Sequence, residues 1–114
     1  FIVDRAKDMI ISGGENIYSV QVEEAIAQHE AVLETAVIGV PDAQWGEAVK
    51  AFVVLKPGMH ATDTDIIDVA RRALAGYQKP KSVEFVAALP KAPTGKILKR
   101  DLRARYWTDQ ARDS

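Results

Sequence analysis

Hydrophobic residues are concentrated in several short segments, and turns that contain glycine or proline separate most of these segments. Four of them predict strands, because they are short and rich in Val, Ile and other hydrophobic residues. These strand segments are residues 8–12, 32–40, 48–55 and 83–87. A glycine or a proline follows each of the first three within two residues, as expected where a strand ends.

Three further segments have hydrophobic residues at helical spacing and predict helices. The first follows Ser19, which can cap it because its hydroxyl can accept hydrogen bonds from the first helical turn. The second covers residues 62–75, where either Thr62 or Thr64 can cap the helix. The third is basic and covers residues 97–107.

The connections between these segments are short, and Gly13-Gly14 between residues 8–12 and Asn16-Ile17-Tyr18 predicts a tight hairpin. The sequence therefore predicts an α+β fold, a small domain with a three-stranded sheet packed by helices plus an N-terminal β-hairpin. Residues 1–107 are expected to form this domain, with residues 108–114 as a polar tail.

Length and composition limit the classes of function. A chain of 114 residues suffices for one domain with a single modest core. Its formal net charge of -1 argues against a nucleic-acid surface, and without cysteine it has no disulfide, thiolate metal site or thiol nucleophile. The apolar runs are too short to span a membrane, and a cytoplasmic protein is expected. The chain begins in a strand-like Phe1-Ile2-Val3 without an initiator Met, which indicates a fragment of a longer protein.

The segment Pro93-Thr94-Gly95-Lys96 is the first candidate for chemistry. Proline stiffens the approach and glycine permits a tight turn, so Lys96 is presented from a constrained position. A lysine ammonium is a compact charge suited to bridging a carboxylate and a phosphate. A Walker A loop is excluded, since the second glycine is not at the required offset and no Lys-Ser/Thr pair follows. By composition alone, a solvated loop lysine is the more frequent alternative.

Three other segments have both a functional and a structural interpretation. Gly13-Gly14 could let backbone approach a ligand, although paired glycines mainly mark turns. Trp45 could stack on a ligand or fill the core. Residues 77–81 place an aromatic beside two lysines, which could form a ledge for a nucleotide or a strip of surface side chains. His29 and His60 have no partner at ligand spacing, so no metal site is predicted.

These segments stand in the order and spacing of the adenylate-forming superfamily, which contains acyl-CoA and aryl-CoA synthetases, firefly luciferase and peptide-synthetase adenylation domains. The chain resembles the small C-terminal lid domain of these enzymes up to about Trp107. The sequence of its first motif is most similar to that of fatty-acyl-CoA synthetases. The motifs that carry the resemblance are residues 4–18, Pro41-Asp42 with Trp45-Gly46-Glu47, Tyr77 with Lys79-Pro80-Lys81, and Pro93-Thr94-Gly95-Lys96.

The resemblance implies a reaction in two steps. A carboxylate attacks ATP to give an acyl-adenylate and pyrophosphate, and the thiol of CoA then displaces AMP. The lid turns between two orientations, one for each step. ATP and CoA are therefore the expected co-substrates, and Mg²⁺ is expected on the missing N-terminal domain. The expected substrate is a carboxylic acid, in particular a fatty acid. The N-terminal domain of the same enzyme is the expected partner, and the fragment alone is expected to be inactive.

The resemblance also implies roles for individual residues. Lys96 resembles the lysine that contacts the carboxylate and the α-phosphate during adenylation. Arg5 resembles the arginine that binds the ribose hydroxyls, and Lys7 falls on the hinge. The CoA site is expected to contain glycines along the pantetheine tunnel, aromatic rings beside the adenine and lysines near the phosphates: Gly13, Gly14, Trp45, Tyr77, Lys79 and Lys81.

Two positions depart from the family pattern, and two other functions stay open. Ser19 replaces a frequent proline, and Gln78 stands where lysine is common, so no phosphate contact is expected there. One alternative is a stand-alone α+β module that binds a small molecule or RNA. The other is the adenylation domain of a peptide synthetase, which is less expected because no carrier-protein serine motif follows Trp107.

Overall fold

The computed structural model describes residues 9–44, 46–74 and 79–104, except for the side chains of Glu15 and Arg100. Within these ranges the chain forms strands β1 (Met9–Ser12) and β2 (Glu15–Tyr18), helix α1 (Ser19–Ile26), strands β3 (Val32–Asp42) and β4 (Gly46–Leu55), helix α2 (Asp63–Ala73), strand β5 (Ser82–Phe85) and helix α3 (Lys99–Ala104). None of the helices described is long and apolar enough to cross a membrane.

Two separate sheets result from the strand pairing. Strands β1 and β2 form an antiparallel hairpin, while β4 lies at the centre of a three-stranded sheet, antiparallel to β3 and parallel to β5. The predicted α+β class, with a three-stranded sheet and an N-terminal hairpin, is confirmed.

The ends of some elements differ from the prediction because strand pairing decides them. Strand β3 continues to Asp42, which pairs with Gly46, although a proline at position 41 predicted an earlier end. Proline is tolerated there because β3 is an edge strand. Helix α3 begins at Lys99, since Ile97 is still paired with Lys91 in a short antiparallel bridge. The polar tail and the predicted helix beyond residue 104 lie outside the described residues.

The predicted caps have opposite outcomes. Thr62 forms a capping box with Asp65: the Thr62 hydroxyl accepts from the Asp65 amide at 3.1 Å, and the Asp65 carboxylate accepts from the Thr62 amide at 3.0 Å. This backbone donor keeps the pKa of the Asp65 carboxyl below its usual value. The prediction for Ser19 was wrong, because the N-cap is Tyr18 and Ser19 is already helical. The buried Ser19 hydroxyl instead accepts from Lys99 Nζ at 3.1 Å.

Both faces of the three-stranded sheet are covered, each by different elements. Successive strand residues point to opposite faces, so β3 and β4 contribute to two separate cores. On one face, the hairpin face, the β1–β2 hairpin, α1 and α2 pack on the sheet through Ile10, Ile17, Val22, Ala25, Ile26, Ile66, Ala70, Val37, Val49, Ala51 and Val53. On the other, the loop face, residues 89–98 and α3 pack on the sheet through Leu89, Ile97, Leu102, Ala36, Ile38, Phe52 and Val54.

Candidate functional site

Lys96 follows a tight hairpin turn, as the sequence predicted. The Gly95 amide donates to the Ala92 carbonyl at 2.8 Å, and the Ala92 amide donates to the Lys96 carbonyl at 2.8 Å. Pro93 stands second in the turn, where its fixed φ is favourable, and Gly95 has a φ of 92°. This is the geometry of a three-residue hairpin loop with a left-handed residue before the returning strand. Residues 91–97 are called the lysine turn below.

The base of the lysine turn is fixed, while its tip is exposed. Ile97 packs into the core of the loop face, and Lys91 forms an ion pair with Glu34 on β3. The Leu98 amide donates to the Pro90 carbonyl at 2.8 Å, which closes the loop behind the turn. Residues 93–96 are all exposed. The turn can therefore present the Lys96 ammonium outward from a rigid support.

The glycine turn, Gly13-Gly14, connects β1 to β2. Gly13 has a φ of 60° and Gly14 a φ of 85°, the φ pattern of a type I′ hairpin turn, in which glycine is favoured. A Cβ built at Gly14 would meet no atom of the described chain within 4 Å. The backbone conformation alone therefore explains Gly14, and no described residue fills the space beside it.

A contact that the sequence did not predict joins this hairpin to the sheet. Glu47 Oε1 accepts a hydrogen bond from the Ile11 amide at 3.1 Å. The carboxylate lies over Gly39, where a Cβ would come within 2.7 Å of Glu47 Oε1 and 3.1 Å of Ile10 Cγ2. The available signal was Gly39 itself, because an isolated glycine inside a strand indicates close approach of another group.

The two predicted CoA lysines lie beside the first half of β4. Lys79 and Lys81 are both exposed and flank Pro80, which is fully buried. The Lys81 amide donates to the Val49 carbonyl at 2.8 Å. Because Glu47 contacts the hairpin two residues earlier on β4, the lysine pair and the hairpin both adjoin this part of the strand.

The structure does not bring all predicted site residues together. The hairpin that carries Gly13 and Gly14 packs on the hairpin face, whereas the lysine turn packs on the loop face. Among the described residues, no group of three or more His, Cys, Asp or Glu side chains could hold a metal ion. Four predicted site residues lie outside the described residues: Arg5, Lys7, Trp45 and Tyr77.

Comparison with protein families identifies the domain. Residues 21–96, most of the chain, match the family model of the AMP-binding enzyme C-terminal domain. The chain belongs to this family. The predicted resemblance to adenylate-forming enzymes is thereby confirmed, and the alternative of an unrelated stand-alone binding module is not supported.

Two relatives of this AMP-binding C-terminal domain are fatty acid ligases. The chain is 54% identical over 102 residues to a long-chain-fatty-acid–CoA ligase of Bacillus subtilis, covering 90% of the chain and 18% of that protein. It is 44% identical over 112 residues to a fatty acid–[acyl-carrier-protein] ligase of Streptomyces coeruleorubidus, covering 98% of the chain and 22% of that protein.

Solved structures agree with this assignment. The crystal structure of an acyl-CoA synthetase from Brucella canis superposes with a TM-score of 0.86 at 42% identity, covering 93% of the chain and 20% of that chain. The domain thus spans about a fifth of the length of the curated relatives it matches.

Proposed function

We propose that this chain is the mobile C-terminal domain of an AMP-forming acyl-CoA synthetase, which converts a carboxylate, ATP and CoA into acyl-CoA, AMP and pyrophosphate. The observation that carries the proposal is that the hairpin with the glycine turn packs on one face of the sheet, while the segment with the lysine turn packs on the other. A domain built in this way presents one turn at a time to a site on the rest of the enzyme. Two half-reactions, each using a different face, fit this arrangement.

In the first half-reaction, an oxygen of the carboxylate attacks the α-phosphorus of ATP and pyrophosphate leaves. Negative charge gathers on the α-phosphate oxygens in the transition state. We assign Lys96 to this step, because its ammonium can lie between the attacking carboxylate and the α-phosphate. A cation held in place by a fixed turn requires little reorganisation during the reaction, which is how such groups lower a barrier. Arg5 is proposed to hold the ribose of the nucleotide.

In the second half-reaction, the CoA thiol attacks the acyl carbonyl carbon, the thiol proton is lost and AMP leaves. We assign the glycine turn to the passage for pantetheine, because both glycines are exposed and no described residue fills the space beside Gly14. Lys79 and Lys81 are proposed to attract the CoA phosphates, since both are exposed cations beside the first half of β4, near the hairpin. Trp45 and Tyr77 are proposed to flank the adenine, and Lys7 is proposed as the hinge.

The other components of the reaction are proposed to belong to the rest of the enzyme. They include the acyl pocket, most of the ATP site and Mg²⁺. A fatty acid is the proposed substrate and CoA the proposed thiol, because the more identical relative named above is a long-chain-fatty-acid–CoA ligase. The cytoplasm is the proposed location, and the isolated domain is proposed to have no turnover.

Exchange of labelled pyrophosphate into ATP by the full-length enzyme tests this proposal. We expect exchange to depend on an added fatty acid, and we expect acyl-CoA and AMP to form in equal amounts once CoA is added. Acids of short, medium and long chain, together with an aromatic acid, define the substrate class. Formation of ADP and phosphate, or pyrophosphate exchange that needs no acid, would contradict the proposed reaction.

A further inference from the structure

We propose that Lys99 and Glu47 are positioning residues. Lys99 fixes the orientation of the lysine turn relative to the rest of the domain, and Glu47 fixes that of the glycine turn. The assignment of each to a half-reaction rests on the proposed function. The two contacts themselves are independent of it.

Lys99 connects the helix behind the lysine turn to the opposite face of the sheet. Its Nζ lies 2.6 Å from Glu23 Oε2 and 3.1 Å from Ser19 Oγ, both on α1. The Lys99 side chain is 14% exposed and that of Glu23 is 21% exposed, so the pair is largely shielded from water. The contact therefore joins α3, on the loop face, to α1, on the hairpin face.

Glu23 extends this connection to the edge of the sheet. The same Oε2 atom accepts a hydrogen bond from the Val37 amide on β3 at 2.9 Å. The outer side of an edge strand has backbone amides that no neighbouring strand can accept from. Here the Glu23 carboxylate accepts from one of these amides, that of Val37. Lys99, Glu23 and Val37 thus link three elements at one atom. Movement of α3 would break a shielded charge contact rather than a solvated one.

Helix α3 needs such a connection because it is short. It has six residues, and Leu102 is its only fully buried side chain among those described. One buried apolar side chain can fix the distance between a helix and a sheet, but it restrains rotation of the helix less well. The ion pair is therefore expected to set the orientation of α3, although removal of Lys99 alone also leaves the Glu23 carboxylate without its cation and should lower stability. Lys96 stands three residues before Lys99, so a rotation of α3 displaces the lysine turn.

Glu47 performs the corresponding task for the glycine turn. A two-stranded hairpin is marginally stable by itself and depends on packing against other elements. The β1–β2 hairpin packs through Ile10 and Ile17, and the Ile11–Glu47 hydrogen bond adds a directional contact two residues before Gly13. Gly39 leaves room for the carboxylate, because any side chain there would come too close to it. The contact fixes the direction in which the hairpin projects.

The test measures both half-reactions of the full-length enzyme separately, with Lys99→Met and Glu47→Ala as the main variants. We expect Lys99→Met to lower the kcat of adenylation roughly ten- to a hundredfold, the scale of a displacement of about 1 Å, and to leave thioester formation from preformed acyl-adenylate at the parental rate. Glu47→Ala is expected to give the reverse pattern. Each variant serves as the control for the other.

Two conservative variants separate positioning from a general effect on folding. Lys99→Arg should restore adenylation, because a guanidinium can donate to the same Glu23 carboxylate. Glu47→Gln should restore thioester formation, because its amide oxygen can accept from the Ile11 amide. Equal losses in both half-reactions for Lys99→Met or for Glu47→Ala would overturn the assignment of that residue.

Hydrogen exchange of the enzyme without substrates provides a readout that does not depend on activity. Lys99→Met should speed exchange of the Ala92, Gly95 and Leu98 amides but not of the β1–β2 amides, and Glu47→Ala should do the opposite. Unchanged exchange in the segment concerned would overturn the positioning role even in an active enzyme. The expected exchange pattern in an enzyme that forms no acyl-adenylate would support the two contacts and refute the proposed function.

Discussion

Replacement of Lys96 by alanine in the full-length enzyme is expected to remove most adenylation and to spare thioester formation. The ammonium is proposed to face charge that develops on the α-phosphate, and loss of one such donor costs about 3–4 kcal/mol, roughly a hundred- to a thousandfold in rate. Because the Lys96 side chain is exposed at the tip of a turn with a separately anchored base, the fold should be retained.

Two assays decide this prediction. Carboxylate-dependent pyrophosphate exchange reports the first half-reaction, and the reaction of preformed acyl-adenylate with CoA reports the second. Lys56→Ala is the matched control. Lys56 is also an exposed lysine of a turn, but it follows the C-terminal end of β4 and is not part of the lysine turn. Lys96→Arg keeps the charge but alters its geometry, so partial activity is expected. Equal losses in both assays for Lys96→Ala would refute the proposed role.

Replacement of Gly14 by alanine is expected to have the opposite selectivity. A methyl group at this position meets nothing within the described domain, so any obstruction must involve another part of the enzyme or its ligand. If pantetheine passes beside the turn, a displacement of about 1 Å should lower the rate of thioester formation roughly a hundredfold. Adenylation is proposed to use the other face of the sheet and should continue at the parental rate.

Gly58→Ala is the matched control for backbone strain. Gly58 has a φ of 77°, close to the 85° of Gly14, and a Cβ built there also meets nothing within 4 Å. Each alanine should therefore lose a similar roughly 1–2 kcal/mol of stability, the cost of a left-handed conformation for an L-residue. Thermal unfolding measures that loss. Comparable damage to thioester formation in both variants would mean that Gly14 acts only as a turn residue.

Local patterns predicted those parts of the fold that depend on local interactions. The density of Val in β4, the capping threonine of α2 and the glycine turn all follow from neighbouring residues. The prediction for Ser19 was wrong for the converse reason. A serine before a helical pattern is expected to cap it, but its hydroxyl partner is Lys99, 80 residues away in the chain. No local pattern contains that contact.

The candidate site divides in the same manner. The order Pro-Thr-Gly-Lys predicted the constrained turn before Lys96, because each residue restricts its own backbone. The placement of the two turns on opposite faces could not be predicted, since it depends on which elements cover each face. Glu47 belongs to one of the motifs that carry the family resemblance, but its hydrogen bond to Ile11 spans 36 residues and has no sequence signal apart from Gly39.

The central claim is that the two faces of the domain serve the two half-reactions in turn, and hydrogen exchange of the full-length enzyme tests it most directly. One sample contains a fatty acid with a non-hydrolysable ATP analogue, and the other contains an acyl-adenylate analogue with CoA. We predict that residues 91–98 are protected in the first sample and residues 11–16 in the second. Protection of both segments in the same sample would contradict the account. So would the absence of protection of either segment in both samples.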